Sequence, residues 1–307
     1  MADVICIGMA LVDSIIRGFQ PEPVSASGYI AESCTLSSGG EAVNAAVALA
    51  KLGTRAGILC ALGEDAAGGM VRETLERAGV DQRLILRAPM TPVTTLFVRE
   101  DGSRRSITNG SHRLRYHPEE VDFSEARAVV LGSLFRAPFD DPETVLATVQ
   151  KARAAGQLVF ADTKLPNFTR LTLADLREAL PMIDYITPNE DEARYFTGRE
   201  TPEEMADALL GYGVKNAVIK LGGQGCFLKN AQGSLRIPAL PVHAVDSTGA
   251  GDHFLAGLVS EILRGSGTEE ALRFANACGA VCVTAVGAGG ALKNREQVLA
   301  LLSGSPA

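Results

Sequence analysis

A doubly wound α/β fold, with a mostly parallel sheet sandwiched by helices, is predicted by three features of the chain. Short apolar, β-branched runs recur along its 307 residues, helix-periodic stretches separate them, and no internal repeat or Pro-rich linker divides it. Hydrophobic residues make up 46% and charged residues 21%, the balance of an ordinary folded protein with a sizeable core. A formal net charge of −7 argues against nucleic acid as the main partner, because a phosphate backbone calls for a basic face. No apolar run is long enough to span a bilayer. The start, Met1 to Gly8, carries Asp3 and no leading basic cluster, so it reads as a first buried strand rather than a signal peptide. A cytoplasmic protein is expected.

The elements follow in order. Asp3–Met9, Ala56–Leu62, Ala128–Gly132, Gln157–Ala161, Tyr185–Thr187 and Asn216–Leu221 are continuous apolar runs, the signature of parallel strands covered on both faces. Between them Glu41–Leu52, Ala66–Ala78, Pro142–Ala155, Leu173–Leu180, Glu190–Phe196 and Pro202–Gly211 have helical periodicity, several with glycine just past the end. Three more helices are expected near Ala250–Arg264, Glu269–Ala285 and Asn294–Leu302. Two segments break the rhythm: Leu11–Ser37 and Pro89–Asn109 alternate like exposed strands, the second with a hairpin around Glu100-Asp101-Gly102-Ser103. They predict a small β lid, with segments near 11–37 and 89–109, on a single domain spanning 1–307.

Several chemistries lack their motifs. There is no G-x-x-x-x-G-K-[ST] loop, no dinucleotide fingerprint after the first strand, no kinase H-R-D loop and no G-x-S-x-G elbow. The six cysteines (Cys6, Cys34, Cys60, Cys226, Cys278, Cys282) have no C-x-x-C spacing and read as reduced core residues. The four histidines have no ligand spacing either.

The most informative run is Asp246-Ser247-Thr248-Gly249-Ala250-Gly251-Asp252, which opens directly into an apolar helix. A helix start offers unpartnered N–H groups and positive potential, hence an anion site. A carboxylate beside that site makes sense as a proton acceptor for a hydroxyl attacking the bound anion, which points to phosphoryl transfer. Taken alone, such a run is more often an ordinary helix start with Asp in its first turn. Earlier, Gly39-Gly40-Glu41-Ala42-Val43-Asn44 permits close backbone approach and places an amide one turn into a helix, suited to polyol recognition or simply to a turn before a helix. Asp13 is placed to accept vicinal hydroxyls or to cap a loop. Thr187-Pro188-Asn189-Glu190-Asp191-Glu192 puts Asn189 and Glu192 on one helix face, where they fit Mg²⁺ near a triphosphate or a helix start complemented by acids.

In their order and spacing these stretches resemble the ribokinase-like, PfkB-type carbohydrate kinases over essentially the whole chain. The resemblance implies that Asp252 is the base and that the amides of Gly249, Ala250 and Gly251 form the anion hole. It places Asp13, Gly39, Gly40 and Asn44 on the sugar. ATP would be held with Mg²⁺ at Asn189 and Glu192. Lys220, Gly222 and Gly225 form the nucleotide-side loop, and Asn276, Cys278 and Gly279 line the adenine. Asp246 and Thr248 would begin a monovalent-cation site for K⁺, completed by carbonyls around 283–289. Homodimerisation through the lid is implied as well.

Departures from the family pattern bear on the acceptor. Asp162-Thr163-Lys164 stands where several sugar-acid and fructose kinases carry Asp-x-Asn-x-Arg, and His253 follows the base where small residues are usual. Lys164, Asn109 and His112 are further acceptor-site candidates, and Arg104, Arg105 and Arg136 are basic residues able to meet a carboxylate. A monosaccharide or sugar acid is the expected acceptor, since the chain has no Trp and 5% aromatics. The alternatives are a nucleoside kinase of the same fold, stacking a base on Phe19, Phe97 or Phe135, and a non-catalytic sugar-binding regulator.

Overall fold

The computed structural model describes residues 2–18, 31–98, 104–110, 114–167 and 169–304. Phe19, His112 and the turn at Glu100-Asp101-Gly102-Ser103 lie outside them, as does the side chain of Arg104. The strands are β1 (Val4–Ile7), β2 (Leu11–Arg17), β3 (Ser33–Gly39), β4 (Ala56–Leu59), β5 (Ala61–Leu62), β6 (Leu86–Arg87), β7 (Val93–Val98), β8 (Arg104–Thr108), β9 (Ala128–Leu134), β10 (Leu158–Thr163), β11 (Tyr185–Ile186), β12 (Asn216–Lys220), β13 (Cys226–Asn230) and β14 (Gly233–Ile237). The helices are α1 (Glu41–Lys51), α2 (Ala66–Arg77), α3 (Pro142–Ala154), α4 (Glu190–Thr197), α5 (Pro202–Gly211), α6 (Ala250–Arg264), α7 (Thr268–Cys282) and α8 (Arg295–Leu302).

The main sheet has the order β14-β13-β12-β11-β10-β9-β1-β4. Val4 of β1 stands between Ala56 of β4 and Ala128 of β9, both parallel to it. All residues of β1, β4 and β9 are buried, as expected for strands covered on both faces. One apolar cluster packs α1, α6 and α7 on one face, and a second packs α3 and α5 on the other. After β1 the chain builds β4 on one side and then β9 to β12 on the other. The carboxyl ends of β1 and β9 therefore flank a switch in strand order, the place where open α/β sheets bind ligands.

The two irregular segments do pair. β3-β2-β7-β8 form a separate sheet, with β7 and β8 antiparallel in the manner of the expected hairpin. Three expectations are corrected. Leu173–Leu180 is not a helix but two 3-10 turns, Leu173–Leu176 and Leu180–Met182. Pro181 has no N–H to continue a helix. Ala56–Leu62 divides after Leu59, and its end pairs with β6. The antiparallel hairpin β13–β14 extends the sheet beyond β12, although the sequence reading stopped at Leu221.

Candidate active site

Gly249, at φ 80°, bends the chain into α6 and lies against Ala288, so a side chain there would meet both strain and a neighbour. Among the described residues the N–H groups of Gly249 and Gly251 have no partner, while that of Ala250 donates to the Ser247 carbonyl at 3.2 Å. Two of the three expected anion-hole amides are thus open. Asp252, in the first turn of α6, is buried and accepts a 2.7 Å hydrogen bond at Oδ2 from Asn44 Nδ2. Burial raises its carboxyl above the ordinary range. Lys164, the Asn44 amide and Lys220 pull it back, and Asp162 pushes it further up.

On the acceptor side, Asp13 sits on β2 against Gly39, and burial raises its carboxyl to about 6. Gly40 takes φ 96° where the chain turns into α1, and a Cβ there would strike the Met9 carbonyl. That turn delivers Asn44 to Asp252. Glu41 accepts the Met9 N–H at 3.3 Å, and burial raises its carboxyl even though Lys164 lowers it. Lys164 is open to the cavity yet enclosed by protein. Burial alone would lower its ammonium, but Asp252, Glu41, Asp162 and Glu192 together hold it raised. Among the described residues it forms no ion pair within 4 Å. Asn109 does not line the cavity, because its amide is used to close the turn before β7, accepting from Val93 N at 2.9 Å and donating to the Thr91 carbonyl.

A cavity of about 720 Å³ runs from Lys164 and Asp252 past Gly249, Gly251 and Lys220 to Gly222, Gly225, Asn276 and Gly279. Its size suits a nucleotide. Asn276 donates to the carbonyls of Ile237 and Pro238, which fixes the wall formed by Ala239–Ala244. Cys278 does not line it; it packs beside Gly257 in the core. Five of the cysteines are buried as expected, but Cys34 on β3 is exposed. His253 is buried and bonded through Nδ1 to the Gly249 carbonyl, so it packs the helix start; burial lowers its ring below the usual value.

Asn189 caps α4, accepting from the Glu192 N–H at 2.8 Å, while Glu192 Oε2 accepts from the Asn189 N–H and the Thr163 hydroxyl, each at 3.0 Å. Among the described residues no donor reaches Oε1, and Glu192 lines the cavity. Burial and Asp162 raise its carboxyl. One open carboxylate oxygen beside a phosphate site fits Mg²⁺, which keeps most of its waters and takes one or two protein carboxylates. The described residues contain no cluster of three or more acidic, His or Cys ligands. Asp246 is differently employed. Oδ1 accepts from the Thr248 N–H and hydroxyl, and Oδ2 from the Gly287 N–H and, at 3.3 Å, from Arg17 of β2.

Two partners of the site emerge only in the folded chain. Asp162 receives both Lys220 contacts, and Glu41 shares the charge of Lys164 with Asp252. The polar run Asp162-Thr163-Lys164 after an apolar strand was the available signal for the first. Glu41 looked like any acid at a helix start. Phe135, offered for base stacking, is fully buried with its ring 4.0 Å from that of Phe196.

Known proteins share this sequence and fold over most of the chain. An ATP-dependent ribose-1-phosphate kinase of Halopiger xanaduensis is 33% identical over 269 residues, 87% of each chain. The Arabidopsis thaliana ribokinase complexed with ribose and ATP superposes with a TM-score of 0.86 at 26% identity, covering 98% of both chains. A putative ribokinase II from E. coli in complex with ATP and Mg²⁺ gives 0.81 at 27% identity, over 99% of both. The pattern of the pfkB family carbohydrate kinases matches residues 1–295, and the chain belongs to that family.

Proposed function

We propose that this protein is an ATP-dependent sugar kinase that transfers the γ-phosphoryl group to a hydroxyl of a monosaccharide or sugar acid. The observation that carries the reading is the contact of Asn44 with Asp252, which unites the early glycine turn and the late one in a single site. The acceptor hydroxyl gives its proton to Asp252 as its oxygen bonds to the γ-phosphorus, and the bond from that phosphorus to the β-bridging oxygen breaks to release ADP. The open N–H groups of Gly249 and Gly251 meet the charge on the phosphoryl oxygens. Asp13, Gly39, Gly40 and Asn44 hold the sugar, with Lys164 at its edge. Gly222, Gly225, Asn276 and Gly279 form the nucleotide side. Glu192 and Asn189 would hold Mg²⁺, which would supply positive charge beside the phosphates.

Residues 1–307 act as one domain in this reading, with the sheet β3-β2-β7-β8 as a lid that excludes water. Leu36 on β3 and Ile107 on β8 are 63% and 66% exposed on the two edge strands, which favours a homodimer through the lid. None of the helices among the described residues is long and apolar enough to cross a membrane. A cytoplasmic enzyme without nucleic-acid partners fits the acidic composition. The enclosure of Phe135 tells against a stacked nucleobase. ADP release measured over D-ribose, ribose 1-phosphate, D-fructose, sugar acids and adenosine tests the proposal. Turnover on a sugar supports it, turnover on adenosine alone favours the nucleoside reading, and tight sugar binding without turnover on any acceptor favours the regulator.

A further inference from the structure

Lys220, the last residue of β12, belongs to an ion pair that crosses over β11 to Asp162 of β10. Nζ stands 2.8 Å from Oδ1 and 2.6 Å from Oδ2, and the two side chains are only 12% and 8% exposed. An ammonium has three donors, so one remains, and among the described residues nothing receives it. Its surroundings show where it is available. A Cβ built on Gly251 would lie 2.9 Å from Nζ and 3.7 Å from Asp162 Oδ2. The cation therefore rests against the glycine whose own N–H is open to the cavity.

We infer that Lys220 is a catalytic residue whose ammonium, anchored by Asp162 against Gly251, contacts the phosphoryl group in transit. The inference rests on the kinase reading above and adds to it a side-chain cation beside two backbone amides. A compact ammonium is a natural phosphate binder, and a charge enclosed by protein acts more strongly than one in water. Asp162 is a positioning residue: it holds the ammonium in place before the charge on the oxygens shifts, so little reorganisation is needed at the moment of transfer. The same contact explains the glycine at 251, since any side chain would push the cation away.

The test uses the full chain and three variants: Lys220→Met, Lys220→Arg and the double Lys220→Met/Asp162→Asn. The double variant leaves neither member of the pair as a lone buried charge, so it provides the test should the single one fail to fold. Calorimetry with Mg-ADP and with the Mg complex of β,γ-imido-ATP separates contacts to the terminal phosphate from contacts to the rest of the nucleotide. We expect ADP binding within about threefold of the parent and imido-ATP weakened by about tenfold or more. With the sugar that turns over best, kcat should fall by about 10²–10³-fold, the usual loss on removing one anion-hole donor, at little change in the sugar KM, and arginine should recover part of it. A folded double variant with kcat near the parent value, or equal weakening of ADP and imido-ATP, overturns the inference. A parent protein that binds neither nucleotide overturns the kinase reading itself.

Discussion

Asn44 Nδ2 donates a 2.7 Å hydrogen bond to Oδ2 of Asp252, joining residues 208 positions apart. The bond couples the element that grips the acceptor to the group that deprotonates it. An amide donor also favours the ionised carboxylate, the form a base needs, against the burial that disfavours it.

Asp252→Asn should lower kcat by about 10²–10⁴-fold, the usual contribution of a positioned base, while Mg-ADP affinity changes little. Steady-state kinetics and calorimetry on one preparation check both statements. Parent-like turnover would remove Asp252 from the role of base.

Asn44→Leu keeps the branched shape and removes the donor. A hydrogen bond to a charged group contributes about 1.5–3 kcal/mol, so kcat/KM for the sugar should drop by about 10–100-fold. The acid limb of kcat should also move to higher pH, because the lost donor had lowered the Asp252 carboxyl. A limb that stays in place would show that the amide does not act through Asp252.

Burial raises the Asp13 carboxyl to about 6, above the ordinary carboxylate value of about 3.9. A group with a raised folded value favours the fold when protonated. Its contribution is full below the ordinary value and is lost as pH rises through about 6. Acceptor binding has the opposite dependence, since the ionised carboxylate accepts from hydroxyls. In the parent, kcat/KM should therefore fall below about pH 6. Asp13→Asn should weaken acceptor binding and abolish that limb, leaving the limb set by Asp252; an unaltered profile would detach Asp13 from the sugar.

Gly40 has φ 96°, and a Cβ there would strike the Met9 carbonyl, a backbone atom that cannot simply rotate away. Gly40→Ala should cost at least about 1–3 kcal/mol of stability, read from the urea midpoint at constant m-value. Gly69→Ala is the control: no atom lies within 4 Å of the added carbon and the residue is inside α2, so it should not destabilise. Equal effects of the two would refute the steric account.

Arg17 brings a guanidinium to Asp246, where the family resemblance implies a monovalent cation, and we propose that the two compete for that carboxylate. The parent should then work at nearly equal rates in KCl and in a tetramethylammonium salt. Arg17→Ala should become several-fold activated by K⁺. Strong potassium activation of the parent would show that the guanidinium does not replace the ion.

The layered α/β architecture was legible from periodicity, because parallel strands buried on both faces must be apolar throughout and the helices between them must carry an apolar stripe. Glycine positions were legible too, as Gly40 and Gly249 adopt backbone angles that other residues resist. The hairpin β13–β14 was not, since Cys226–Asn230 and Gly233–Ile237 mix polar with apolar residues and form neither a continuous apolar run nor a clean alternation. At Leu173–Leu180 the missing N–H of Pro181 prevailed over apolar spacing.

Sequence by itself determined the residue types available for the chemistry: an acid after a glycine turn, an amide after another, and a lysine at the end of a strand. Tertiary structure decided their partners. Asn44 meets Asp252, Lys220 meets Asp162, and Arg17 meets Asp246 because the order of strands brings distant loops to one end of the sheet. The upward shifts of the Asp252 and Glu192 carboxyls were decided there as well, for desolvation and field depend on everything folded around a group and not on its neighbours in the chain.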